Sequence, residues 1–131
     1  MGVDKDRREN ILTFWDSYYR NKIDTFPNSG FSTYCLSFLD KESTLIDIGC
    51  GDGRDSLFFS ENQIHTTGID FSSEAINQNK KLENERLNFL NIDLNSINEF
   101  NQKFDFAYCR FLFHAINEEI EDILFKWITK N

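Results

Sequence analysis

Proline occurs once in this 131-residue sequence, at Pro27, while histidine occurs twice and cysteine three times. An odd number of thiols without framework spacing argues against a disulfide scaffold and points to reduced cysteines in a cytoplasmic protein. The two histidines and scattered cysteines offer no metal-ligand spacing, so no metal is expected. No apolar run approaches the ~18 residues of a membrane span, and the opening MGVDKDRREN is too charged for a signal peptide. Asp6 stands where a myristoylation signal would carry Ser or Thr. Positive charge is scarce too: 14 Lys and Arg against 22 Asp and Glu leave a net charge of −8. Nucleic-acid binding rests on Lys and Arg neutralising phosphates, which leaves a small molecule or a protein as the expected partner.

The sequence is well supplied with apolar residues, 14 of them phenylalanine, enough for one domain with a substantial core. Its most informative stretch is Leu45 to Phe59, LIDIGCGDGRDSLFF. A short apolar strand runs into alternating Gly49, Gly51 and Gly53 and then into an amphipathic helix. Glycine tolerates positive φ and has no Cβ to hold a ligand off the backbone. Such a loop suits a cofactor site at the carboxyl end of a strand in an open α/β sheet. A second strand, Ile64 to Ile69, leads to Asp70, whose carboxylate is placed to accept hydrogen bonds from ribose hydroxyls. These features point to a nucleoside-containing cofactor.

Which one is a question of charge. The dinucleotide fingerprint G-x-G-x-x-G sets a helix N-terminus against a pyrophosphate. Here the spacing is G-x-G-x-G, Arg54 replaces the third glycine and Asp52 lies inside the loop. A carboxylate there would repel a pyrophosphate by ~1–4 kcal/mol at intermediate dielectric. S-adenosylmethionine carries a sulfonium and an ammonium group, for which Asp47 and Asp52 are favourable neighbours. It fits better than NAD.

Apolar periodicity predicts helices over 4–21, from Phe31 to Leu39, from Arg54 to Asn62, from a Ser72 cap to Glu85, and from an Asn117 cap towards the end. Strands are expected at Thr44 to Ile48, up to Asp70, at Leu87 to Ile92 and at Phe104 to Cys109, with a helical turn near Ser96 to Phe100. Strands alternating with helices give a parallel sheet.

Four segments, in order, resemble the markers of class I S-adenosylmethionine-dependent methyltransferases. They are Asp47-Ile48-Gly49-Cys50-Gly51-Asp52-Gly53, Gly68-Ile69-Asp70-Phe71-Ser72, Asn91-Ile92-Asp93-Leu94, and Phe104-Asp105-Phe106-Ala107-Tyr108-Cys109-Arg110. The resemblance implies an α/β, Rossmann-like three-layer fold with a mostly parallel sheet and four of the usual seven strands present. Residues 1–43 would form a helical leader or lid and 44–131 the cofactor-binding core. Cofactor contacts are implied for Asp47, Gly49, Cys50, Gly51, Arg54, Asp70, Phe71, Asp93 with Leu94, and Cys109, where the fourth strand ends beside the methyl group. The leader resembles those of bacterial methyltransferases acting on small molecules, including surface-polysaccharide enzymes, and would line the site with Tyr18, Tyr19 and Phe31.

Several roles have two readings. Arg54 either pairs with Asp52 or Asp55 or binds the methionine carboxylate. Phe71 is a core aromatic or an adenine wall, and Asp93 is an adenine contact or a surface turn. His114 is a general-base candidate or a helix-packing residue. Arg110 holds an anionic acceptor or pairs with nearby acids. Cys50 reads as a packing residue rather than a nucleophile, and His65 as structural. The expected activity is methyl transfer to an oxygen or nitrogen of a small polar acceptor. The alternative is a non-catalytic half-domain that needs a partner or the missing strands. With strand four as an open edge, Tyr108 is expected to be exposed there and the edge to favour a homodimer.

Overall fold

Strand β1 (Thr44–Ile48) is buried on both faces from Leu45 onward, which only the interior of a covered sheet allows. The computed structural model describes residues 28–110, 123 and 126–128, and it sets β1 between β2 (His65–Asp70) and β4 (Phe106–Cys109). Strand β3 (Leu87–Asn91) lies beyond β2, giving the order β3-β2-β1-β4 with every pairing parallel. The chain moves outward from β1 to β3, then returns to β4 on the other side. A crevice therefore opens between the carboxyl ends of β1 and β4, where such sheets hold ligands.

Side-chain alternation assigns the two faces. Ile46 and Ile48 meet Ile69, Leu94, Ile97 and Trp127 on one side. Leu45 meets Phe59, Ile64 and Tyr108 on the other. That second side carries α1 (Gly30–Leu36) and α2 (Arg54–Glu61). Helix α3 (Ser73–Asn79) adds Ile76 to Cys50, Leu87 and Phe89. Gly68 is required between these layers: a Cβ there would lie 2.7 Å from the Phe89 ring and 2.9 Å from Ser56 Oγ. Among the described residues no helix is long and apolar enough to cross a membrane.

Two expectations need correcting. The helix capped by Ser72 ends at Asn79 rather than near Glu85, and a 3₁₀ turn (Lys80–Leu82) follows. Asn77 and Asn79 are weak helix formers. Lys80 Nζ also donates to the Phe89 carbonyl at 2.6 Å, and Asn84 exchanges both backbone bonds with Leu87, drawing the chain directly into β3. Tyr108, expected at an exposed edge, is 5% exposed, because Phe31 stacks on it and Phe59 meets it edge-on. Smaller shifts are that α1 stops at Leu36 and β4 starts at Phe106, since Asp105 turns back to bond Thr44 Oγ1 and N–H. The helical turn after β3 is a 3₁₀ segment over Leu94–Glu99. The predicted helix over 4–21, Tyr18, Tyr19, His114 and the Asn117 cap lie outside the described residues.

Candidate functional site

The glycine loop adopts the backbone that its composition permits. Gly49, Gly51 and Gly53 have φ of 73°, 59° and 79°, a region that costs a side-chain-bearing residue about 1–2 kcal/mol. The loop is tied to β2 throughout. The N–H groups of Gly49 and Cys50 both donate to the Ile69 carbonyl at 2.9 Å, and Gly51 N–H donates to Asp70 Oδ2 at 2.9 Å. Gly53 begins α2 without a side chain of its own to cap it. The neighbouring Asp52 accepts the Arg54 N–H at 3.2 Å instead.

Asp70 closes β2 and is 7% exposed. Besides Gly51, it accepts the Ser72 N–H on Oδ1 at 2.9 Å, so one carboxylate joins the loop to the start of α3. Ser72 in turn caps α3 by accepting the Ala75 N–H, as its type and position predict. Phe71, partly exposed, follows directly on β2.

Beneath the loop lie two buried carboxylates that the fold treats differently. Asp47, on the face of β1 turned to α2, accepts a 2.6 Å hydrogen bond from Ser56 Oγ. Burial pushes its carboxyl up to about 7; the Ser56 bond opposes this and the nearby Asp55 and Asp70 charges reinforce it. Asp55, in the first turn of α2, collects the Ser29 N–H at 2.7 Å, Ser29 Oγ at 2.9 Å and Tyr108 OH at 2.8 Å. Arg110 Nε lies 3.2 Å from the same carboxylate. Burial again acts upward and is the largest single influence. The Ser29 and Tyr108 donors and the Arg110 charge together outweigh it and hold Asp55 below the ordinary carboxylate range.

The remaining predicted residues fall into place around this frame. Arg110, just past β4, takes the acid-pairing arrangement through Asp55. Asp93 is exposed and caps its 3₁₀ segment, accepting the Asn95 N–H at 2.9 Å. Leu94 turns its side chain into the core with Ile97. Cys109, paired in register with Ile48, ends β4 beside the crevice, and burial pushes its thiol up to about 12. Cys50 packs against Ile76 and Phe89, and burial raises its thiol well above the usual value. Neither thiol is a ready nucleophile. Phe31 is 48% exposed and lies on Tyr108. His65 is remote, its Nε2 2.7 Å from Glu42 Oε2, and Glu42 also pairs with Arg86 at the other end of the strands.

Sequence reasoning named Asp55 only as a possible partner of Arg54 and did not single out Ser29 or Asn79 as members of this site. Asn79 donates from Nδ2 to the Gly51 carbonyl at 2.7 Å. An aspartate in a first helical turn reads as a dipole partner, and an asparagine near a helix end as a terminator. Their partners lie 26, 53 and 28 residues away, beyond any local signal.

Comparison with known proteins agrees with this geometry. A family profile described as a methyltransferase domain matches residues 46–128. YqeM of Bacillus subtilis (strain 168), provisionally assigned as a methyltransferase, is 28% identical over 91 residues, which are 68% of this chain and 37% of that protein. The crystal structure of TehB from Haemophilus influenzae superposes with a TM-score of 0.70 at 24% identity, covering 88% of this chain and 41% of TehB. Magnesium protoporphyrin IX methyltransferase from Synechocystis, solved with bound S-adenosylmethionine, gives 0.74 at 13% identity, covering 95% of this chain and 71% of that one. At such identities the structural likeness establishes the fold. The chain spans little more than a third of the curated relative it matches.

Proposed function

The chain belongs to the methyltransferase domain family, and we propose that it transfers a methyl group from S-adenosylmethionine to an oxygen or nitrogen of a small polar acceptor. One observation carries this reading: a loop of three positive-φ glycines at the carboxyl end of β1, ringed by Asp47, Asp52 and Asp70. Backbone without Cβ atoms admits a close ligand, and carboxylates favour a cationic one over a pyrophosphate. The donor set fits the sulfonium cofactor.

In this reading the backbone of Gly49, Cys50 and Gly51 receives the cofactor, Asp70 takes the ribose hydroxyls, and Phe71 covers the adenine. Asp93 meets the adenine amino group from its exposed turn, and Asp47 orients the ammonium group from below. When bound, the cofactor supplies a methyl group activated by positive sulfur for in-line attack. The chain's residues contribute alignment and water exclusion, an effect of up to ~7–11 kcal/mol in favourable cases. Cys109, Arg110 and Phe31 border the acceptor side; from the sequence, Tyr18 and Tyr19 are assigned to the acceptor and His114 is the candidate base. A positioned base adds about 10²- to 10⁴-fold.

Calorimetric titration with S-adenosylhomocysteine, with NAD as control, tests the proposal. Saturable binding of the first ligand, lost in Asp70→Ala while the fold persists by circular dichroism, is the expected result. Preference for NAD, or no binding of either, would overturn it.

A further inference from the structure

We propose that Asn79 is a positioning residue for the cofactor loop, acting through the carbonyl of Gly51; this rests on the cofactor reading above. Gly51 sits at the middle of the loop, and both of its backbone polar groups are held by side chains rather than by secondary structure. Its N–H goes to Asp70 Oδ2 at 2.9 Å and its carbonyl accepts from Asn79 Nδ2 at 2.7 Å. Asn79 is 3% exposed and closes α3, while Asp70 closes β2, so the clamp ties one peptide to two elements. Asn79 also limits the space behind the loop: a Cβ on Gly53 would come within 3.2 Å of Asn79 Cγ and 2.8 Å of Phe89 Cζ.

Gly51 needs such a clamp because its own backbone is permissive. At φ of 59° without a Cβ, the peptides on either side of it can rotate at little steric cost. A loop free to rotate would have to be ordered by each incoming ligand, and ordering costs affinity. Asn79 removes that cost in advance. Its amide is well suited to the role, since it donates to a carbonyl without adding charge to a region already rich in carboxylates.

Asn79→Leu tests this, because leucine repeats asparagine's branched shape, with two larger methyl groups, but cannot donate. The full chain is titrated with S-adenosylhomocysteine, its thermal midpoint is measured without ligand, and the Gly51 carbonyl carbon is followed by NMR. Affinity about tenfold weaker, the size of one well-made buried hydrogen bond, is expected. The midpoint should fall by only about 3–6 °C, as for one buried hydrogen bond, so that the chain stays folded under the titration conditions, and the Gly51 carbon resonance should move upfield as its carbonyl loses a donor. Asn79→Ala, which removes the donor without enlarging the side chain, should weaken binding at least as much. It provides the test if the leucine variant does not fold. Wild-type affinity in either folded variant, or an unmoved Gly51 carbon, would overturn the proposal. If the wild-type chain binds no S-adenosylhomocysteine, the cofactor reading is what fails, and the Gly51 carbon alone then decides whether the clamp exists.

Discussion

Asp47 and Asp55 lie on neighbouring elements under one loop, both buried, yet the fold drives their carboxyl groups in opposite directions. Among the described residues Asp47 has a single strong donor, Ser56 Oγ, and other carboxylates nearby, so the cost of burying its charge prevails. Asp55 has Ser29 twice, Tyr108 and Arg110, and its charged form is kept. Burial alone therefore does not decide whether a carboxylate stays ionised; the number of donors aimed at it does. Asp55 is the ionised joint between the segment before α1, helix α2 and the end of β4. Asp47 is the poised group under the cofactor loop.

The sharpest way to break this contrast is Asp55→Ala. It leaves Tyr108 OH without this acceptor and Arg110 without this carboxylate, and should destabilise the chain by ~3–5 kcal/mol in urea unfolding. A loss below about 1 kcal/mol, as at an exposed ion pair, would mean that Asp55 is no joint at all.

Asp47→Asn should act in the opposite sense. A raised carboxyl gives the native state the higher proton affinity, so its contribution is fully present below about pH 4 and is lost as pH rises towards 7. At pH 8 the amide should stabilise the chain by ~2–4 kcal/mol and flatten the fall in stability across that interval. S-adenosylhomocysteine binding should weaken, since the proposed ammonium partner is gone. A variant less stable than wild type at pH 8 would show that the Ser56 bond outweighs burial. Asp55 has the reverse linkage: its contribution is present above the ordinary carboxylate range and is lost as pH falls below it.

Tyr108→Phe is the mildest test. It keeps the ring contacts with Phe31 and Phe59 but removes one donor from Asp55, and should cost about 1 kcal/mol. A cost of ~3 kcal/mol or more would mean that the four groups at Asp55 depend on one another rather than adding up.

What could be read from the linear chain was whatever rests on local geometry. Alternating glycines after an apolar strand permit positive φ, and all three adopt it. Ser72 is followed by a helix and caps it, because a hydroxyl there reaches the N–H three residues on. The strands were placed within about two residues by their apolar runs. The end of α3 was not, because the Lys80 side chain bonds a carbonyl on β3 and Asn84 pairs with Leu87, drawing the chain out of the helix.

The sequence by itself determined the α/β order, the glycine loop and the acidic residues at the strand ends, since short-range sterics and side-chain period govern all of these. Only the tertiary structure decided that Tyr108 is covered rather than exposed, that Asp55 is ionised while Asp47 is poised, and that Asn79 reaches Gly51. Each depends on donors and rings brought from distant segments, and desolvation, which sets their energies, exists only once the layers have closed.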